Sequence, residues 1–361
     1  MLTQILGILA LVAVPVAAIV IVDDWFLRPR RQLAAPTGAV IEPRWLAVLY
    51  QALPVLLFAA VVRMLMSERL DFSLVLVLAV AVAGVVWLLD KLLLEPLRRR
   101  QAAALGRPVE TASLPVTVDY ARSFLPVMLI VLVVRSFIFE PFRIPSDSMM
   151  PTLLDGDFIA VNKYAYGLRL PVLNRKVVPV GEPQRGDVVV FRYPPDPAVN
   201  YVKRLVGLPG DRVQVINDQL LINGEPVVLE DNGRYNDGCY DNMRLATEQL
   251  GEHRHPTLSC RTPGDLMAPP VQSCGRNIGR SYFCSEDGPA ELQDRSDFPE
   301  AIVPADSYLM IGDNRDNSAD SRYWGFVPES YLVGKATRIW FNWDLQRDGG
   351  PNWGRIGRRI E

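Results

Sequence analysis

Histidine is almost missing from this chain of 361 residues: His253 and His255 are the only two, both in a stretch rich in turn residues. A Ser-His-Asp or Cys-His site in the rest of the chain is thereby excluded, and no His-Glu-x-x-His pair is present to hold zinc. A metal site from His253, His255 and Cys260 is the weaker reading beside a solvated loop. No phosphate-cradling loop occurs, since Gly207-Leu-Pro-Gly210 reads as a turn after a strand. An excess of charge of one sign is also lacking. With 38 basic and 40 acidic side chains and a net charge of -2, no basic field favours nucleic acid. Cysteine is absent before Cys239, and all four cysteines (Cys239, Cys260, Cys274, Cys284) fall in the later part of the chain.

What the sequence has instead is long apolar runs at its N-terminal end. Leu2 to Val22 and Phe72 to Leu89 carry no charge and approach the roughly 20 residues that cross a bilayer core. Trp45 to Met66 is similar, with Arg63 near one end where its side chain can snorkel. Phe124 to Phe139 is shorter, and hydropathy alone divides evenly between a span and a buried soluble helix. No positively charged region precedes the first run, which is longer than a signal-sequence core, so it reads as a retained span rather than a cleaved leader. Four spans are expected, at about 2–22, 45–66, 72–94 and 123–140. The loop bearing Arg28, Arg30, Arg31 and Arg44 and the loop bearing Arg98, Arg99, Arg100 and Arg107 are cytoplasmic by the positive-inside rule. Everything from about 141 to 361 then lies outside the cytoplasm, where an oxidising compartment permits disulfides of open connectivity.

From Asp157 onward, short β-rich runs alternate with turn signals: Asp157 to Lys163, Asp187 to Tyr193, Tyr201 to Leu208, Arg212 to Ile216, Ser307 to Ile311 and Val333 to Trp343. The pattern predicts a mainly-β domain. Between Leu229 and Pro299 it dissolves into polar and turn residues, which reads as an inserted, disulfide-bearing excursion at about 229–300.

Without histidine, a nucleophilic hydrolase needs another base. A lysine can serve where burial disfavours its ammonium form. Lys203 lies among Val202, Leu205 and Val206 in a strand-like run, although that window alone fits a solvent-facing lysine better. The serine candidate, Ser148, lies in Phe142-Arg-Ile-Pro-Ser-Asp-Ser-Met-Met-Pro-Thr-Leu153, where Pro145 and Pro151 constrain the loop. Alone, that stretch reads as a juxtamembrane turn.

The segments taken in order resemble bacterial type I signal peptidases, also called leader peptidases. Ile144 to Leu153 is similar to the family's nucleophile box, Gly156 to Lys163 to the strand after it, and Arg185 to Phe191 with Tyr201 to Asp211 to the boxes leading to and holding the catalytic lysine. Gly312-Asp-Asn-Arg-Asp-Asn-Ser-Ala-Asp-Ser-Arg-Tyr-Trp-Gly-Phe326 resembles the last family box. The resemblance runs from about Val75 onward. Asp147 stands where glycine is common, with its side chain expected to point to solvent, and two further N-terminal spans precede the usual two.

The resemblance implies Ser148 as nucleophile, Lys203 as general base and Ser146 as a hydroxyl donor to the oxyanion beside the Ser148 backbone amide. Ser318 would orient the lysine amine, Asp320 and Arg322 would form an ion pair under the site, and Ile144, Met149, Tyr201 and Val202 would border shallow pockets for small residues. It implies no metal and no cofactor. The implied activity is removal of N-terminal signal peptides from exported preproteins at Ala-x-Ala type sites, by a multi-pass protein of the bacterial inner membrane, in contact with lipid and beside the export machinery. Two other readings exist: a non-catalytic membrane-anchored binding or assembly factor, disfavoured because both Ser148 and Lys203 are present, and a Ser-Lys autoprotease of the repressor type, disfavoured by the apolar runs.

Overall fold

The structure, a computed structural model, describes residues 2–34, 42–65, 72–104, 114–216, 219–237, 240–259, 297–343 and 350–361. The chain divides into two compact units, Met1–Val134 and Arg135–Glu361. The expected cysteine bridges fall outside the described residues, as do Cys239, Cys260, Cys274 and Cys284 themselves.

The first unit is helical. Helix α1 (Leu2–Val22) runs through a π turn into α2 (Arg28–Ala34), α3 covers Arg44–Leu65, α4 (Phe72–Leu89) runs through a second π turn into α5 (Glu95–Ala104), and α6 covers Val116–Val133. α1 packs against α3 and α4 against α6. The stretches Gly7–Gln32, Ser73–Ala104 and Val116–Ile138 are long and apolar enough to cross a membrane, and Arg44–Ala60 is a shorter apolar helix. Helix α6 starts earlier than the hydropathy run because a carboxylate waits at its end. Asp24 accepts hydrogen bonds from Val116 N (2.9 Å), Thr117 N (2.8 Å) and Thr117 Oγ1 (2.7 Å), partnering amides that the helix itself leaves unpaired.

The second unit is mainly β. Its strands are β1 (Phe139–Arg143), β2 (Asp157–Asn162), β3 (Leu168–Arg169), β4 (Lys176–Val178), β5 (Val188–Tyr193), β6 (Asp196–Gly207), β7 (Arg212–Ile216) and β8 (Gln219–Ile222). They continue with β9 (Glu225–Pro226), β10 (Leu229–Asp237), β11 (Tyr240–Leu250), β12 (His253–Ser259), β13 (Phe298–Ile302), β14 (Ser307–Ile311), β15 (Val327–Pro328) and β16 (Leu332–Asn342). The main sheet has the order β1-β2-β16-β5-β6-β14-β15, and a second sheet the order β13-β7-β8-β9. Near-continuous apolar runs such as Val188-Val-Val-Phe191 are buried throughout, as a strand covered on both faces requires.

The stretch expected to be irregular contains a three-stranded meander, β10-β11-β12. Its alternation is hidden in the sequence because inward positions carry polar groups. Ala246 and Leu250 are buried in step with Glu248 on β11, and His255 with Thr257 on β12. The reading of the histidines as members of a solvated loop is therefore overturned for His255, which is fully buried. Among the described residues no group of three or more His, Cys, Asp or Glu side chains is arranged to hold a metal.

Candidate active site

The serine is held by a short 3-10 turn, Asp147–Met149, between β1 and β2. Met149 and Leu153 anchor the turn by burying their side chains in the core with Ile144 and Ile159. Two bonds from one residue fix it from above: Asn314 N donates to Ser148 O (3.1 Å) and Asn314 Nδ2 to Asp147 O (3.1 Å). Ser148 is thereby presented from a backbone pinned at both of its neighbouring peptide groups. Asp147 is buried at 7% exposure rather than turned to solvent, because the turn folds back under the Asn314 loop.

Lys203 reaches the serine from β6, with its Nζ donating to Ser148 Oγ. The strand pairs with β5 in the register Val189↔Lys203 and Val188↔Arg204, and with β14 as far as Ile311↔Arg204. Lys203 thus stands where β14 has ended and the chain leaves as Gly312, which opens room for the amine. The solvent-facing reading fails, since the residue is 4% exposed. Burial is the main cause that brings its pKa down to about 8, aided by Arg322 and opposed by Asp320 and Asp313. An amine of that strength is neutral often enough near physiological pH to accept a proton.

The carboxylates beneath the amine are already paired. Asp320 accepts from Arg322 Nε (2.9 Å) and Nη2 (2.9 Å) and from Gly312 N (3.0 Å), while it caps helix α7 (Ser321–Trp324) by accepting from Arg322 N. Asp313 accepts from Arg204 Nε and Nη2, each at 2.8 Å, and from Thr152 Oγ1 at 2.5 Å. Although burial opposes it, these partners hold both carboxyls below their ordinary range. Each anion beside Lys203 is matched by a guanidinium, so the ammonium form gains little from them.

Of the other expected site residues, Ser146 is exposed, with its Oγ 3.4 Å from Ser148 Oγ. Ser318 is buried, and its hydroxyl makes no hydrogen bond to Lys203. It packs on Gly312, where an added Cβ would come within 2.6 Å of the Ser148 carbonyl oxygen; only glycine allows the three segments to meet. Ile144, Met149 and half-buried Val202 share one apolar cluster. Tyr201 belongs to the neighbouring cluster, stacked on Tyr193 with ring centroids 4.3 Å apart.

Sequence reasoning missed Arg204, Asp313, Asn314, Thr152, Glu248, His255 and Arg315. A signal existed for Arg204: an arginine between valines and leucines of a central strand must find a buried carboxylate. No comparable signal marked Glu248 and His255, whose other partners, Arg315 and Asp313, lie far off in sequence.

A serine hydroxyl bonded to a buried lysine of depressed pKa, on a β unit that follows apolar helices, fits a membrane-anchored hydrolase of the serine class. The chain belongs to the signal peptidase family, peptidase S26, whose family model matches residues 117–341. Signal peptidase I of Pseudomonas aeruginosa is 42% identical over 309 residues, covering 80% of this chain and 98% of the relative. The Pseudomonas fluorescens signal peptidase I is 43% identical with the same coverage. That of Haemophilus influenzae is 33% identical over 335 residues, covering 80% of this chain and 90% of the relative.

Proposed function

We propose that the chain acts as a type I signal peptidase, cutting N-terminal signal peptides from exported preproteins after small residues, with Ser148 as nucleophile and Lys203 as general base. The family and its named relatives support the reaction. The bond from Lys203 Nζ to Ser148 Oγ is the observation that carries the residue assignment.

In the neutral amine state, Lys203 takes the Ser148 proton as the oxygen attacks the scissile carbonyl. The tetrahedral oxyanion is stabilised by the Ser148 backbone amide and the Ser146 hydroxyl. Lys203 then gives its proton to the leaving amine, and water hydrolyses the acyl-enzyme. Asp320 with Arg322 holds the floor, and Ser318 packs on Gly312 beside the pair. Ile144, Met149, Tyr201 and Val202 border the pockets for the small side chains. The apolar helices anchor the protein in the bacterial inner membrane, with the β unit on the outer face, in contact with lipid and beside the export machinery.

The test is incubation of detergent-solubilised protein with a preprotein bearing an Ala-x-Ala site. Cleavage after that site, lost in Ser148→Ala with unchanged thermal stability, is expected. Cleavage by the Ser148→Ala protein would remove Ser148 from the mechanism.

A further inference from the structure

The inserted meander sends two ionisable side chains into the floor of the site. Glu248 on β11 is fully buried, and its Oε1 accepts from Arg315 Nη2 at 2.6 Å. His255 on β12 is also fully buried, with Nε2 3.5 Å from Glu248 Oε1 and 3.7 Å from Asp313 Oδ1. The meander is bound to the same loop by its backbone, as Leu258 N donates to Asp313 O at 2.9 Å. Arg315 in turn donates from Nε to Gly312 O at 3.2 Å, and its own carbonyl accepts from Arg322 Nη2 at 2.5 Å. Glu248 therefore reaches the residue on which Ser148 and Ser318 pack through a single guanidinium.

We propose that Glu248 is a positioning residue for the Lys203–Ser148 pair, fixing the Gly312–Ser318 loop through Arg315 and completing the charge balance of the site floor. The proposal rests on the assignment of Ser148 and Lys203 made above. The floor sets three guanidiniums against three carboxylates: Arg204 with Asp313, Arg322 with Asp320, and Arg315 with Glu248. Facing Lys203 are Asp320 at the cap of α7 and Arg322 within it, Asp313 from the loop after β14, and Tyr201 from its own strand. His255 remains uncharged in the range where Lys203 titrates, because burial, and Arg204 beside it, lower its pKa against the opposing pull of Asp313 and Glu248. Removing the Glu248 charge leaves Arg315 as an unmatched cation in the floor, which disfavours a second cation on Lys203. Removing the Arg315 charge does the reverse. A residue that served only to hold the fold would move neither titration.

The experiment measures kcat and KM for preprotein cleavage from about pH 6 to pH 10 with the full chain in detergent. Five proteins are compared: the unaltered chain, Glu248→Gln, Glu248→Asp, Arg315→Gln and the double Glu248→Gln/Arg315→Gln variant. In Glu248→Gln the rising limb of the pH profile is expected to move to lower pH by about half a unit or more, with a lower plateau kcat and unchanged KM. Arg315→Gln moves the limb to higher pH, the double variant returns it towards its original place, and Glu248→Asp leaves it there. Limbs that stay put in the folded single variants, or that move in the same direction, overturn the proposal. Should Glu248→Gln not fold, Arg315→Gln decides alone, and an unmoved limb overturns it. The unaltered chain separates the two levels: an active enzyme with no rising limb removes Lys203 as base and this proposal with it. A normal limb that is indifferent to both substitutions removes only Glu248.

Discussion

Arg204 grips Asp313 through two parallel bonds, Nε to Oδ1 and Nη2 to Oδ2, each 2.8 Å long, one residue along β6 from Lys203. Neighbouring strand residues point to opposite faces, so Arg204 and Lys203 are both buried while serving different partners. Arg204 also donates from Nη1 to Gly186 O (2.6 Å) and Glu361 O (2.9 Å). The lysine therefore rides on a strand whose next side chain is bonded on several sides, which fixes where its amine can go.

Breaking that pair from one side leaves an uncompensated charge in a dry core. Asp313→Asn is expected to lower unfolding stability by about 3–5 kcal/mol, measured by denaturant titration of the detergent-solubilised chain. A loss under about 1 kcal/mol, the range of exposed pairs, would contradict the burial described for Arg204 and Asp313.

Ser146 is exposed and 3.4 Å from the nucleophile hydroxyl. If it donates to the oxyanion, Ser146→Ala lowers kcat by the 10²–10³-fold typical of one lost donor, or about 2.7–4 kcal/mol. KM stays near its original value, because the bond forms only as charge develops. Steady-state kinetics that show a raised KM with unchanged kcat would assign Ser146 to substrate binding instead.

Most of the β core was legible because most of its strands declare themselves locally. Val188 to Tyr193 and Ser307 to Ile311 are apolar or β-branched runs between turn residues, and both are strands of the main sheet. β1 was not legible, since Phe139-Glu-Pro-Phe-Arg143 continues an apolar run and contains a proline that only an edge strand tolerates; it lies at the sheet edge. The meander escaped notice for another reason. Arg244, Glu248 and His255 occupy inward positions, and a strand whose buried face is charged looks like a loop until its partners are known. Ser148 and Lys203 were singled out through the resemblance of whole segments rather than through their own windows, because a buried lysine and an exposed one have the same letter.

The arrangement of arginines around the apolar helices predicts the orientation of the chain. Reporter domains fused after Arg100 are expected to stay in the cytoplasm, and those fused after Asp157 to be exported. Alkaline phosphatase activity serves for the second position and a cytoplasm-dependent reporter for the first. A cytoplasmic signal from the Asp157 fusion would place the β unit on the wrong side for preproteins that have crossed the membrane.

The pH dependence of Lys203 gives the most direct test of its role. Burial brings its pKa down to about 8, so cleavage is expected to rise as pH increases through about 8, as the amine loses its proton. The same shift enters stability with a definite sign. Between about pH 8 and 10.5 the unfolded chain holds a proton that the folded chain has released, so this residue's contribution grows more favourable as pH rises through that window. Comparison of denaturation curves with those of Lys203→Met, which does not titrate, isolates the effect. Lys203→Arg keeps a cation that does not deprotonate, and it is expected to be as inactive as Lys203→Ala, whereas Lys203→His can recover a trace because imidazole accepts protons near neutrality. Substantial cleavage by Lys203→Arg with an unaltered pH profile would mean that another group accepts the serine proton.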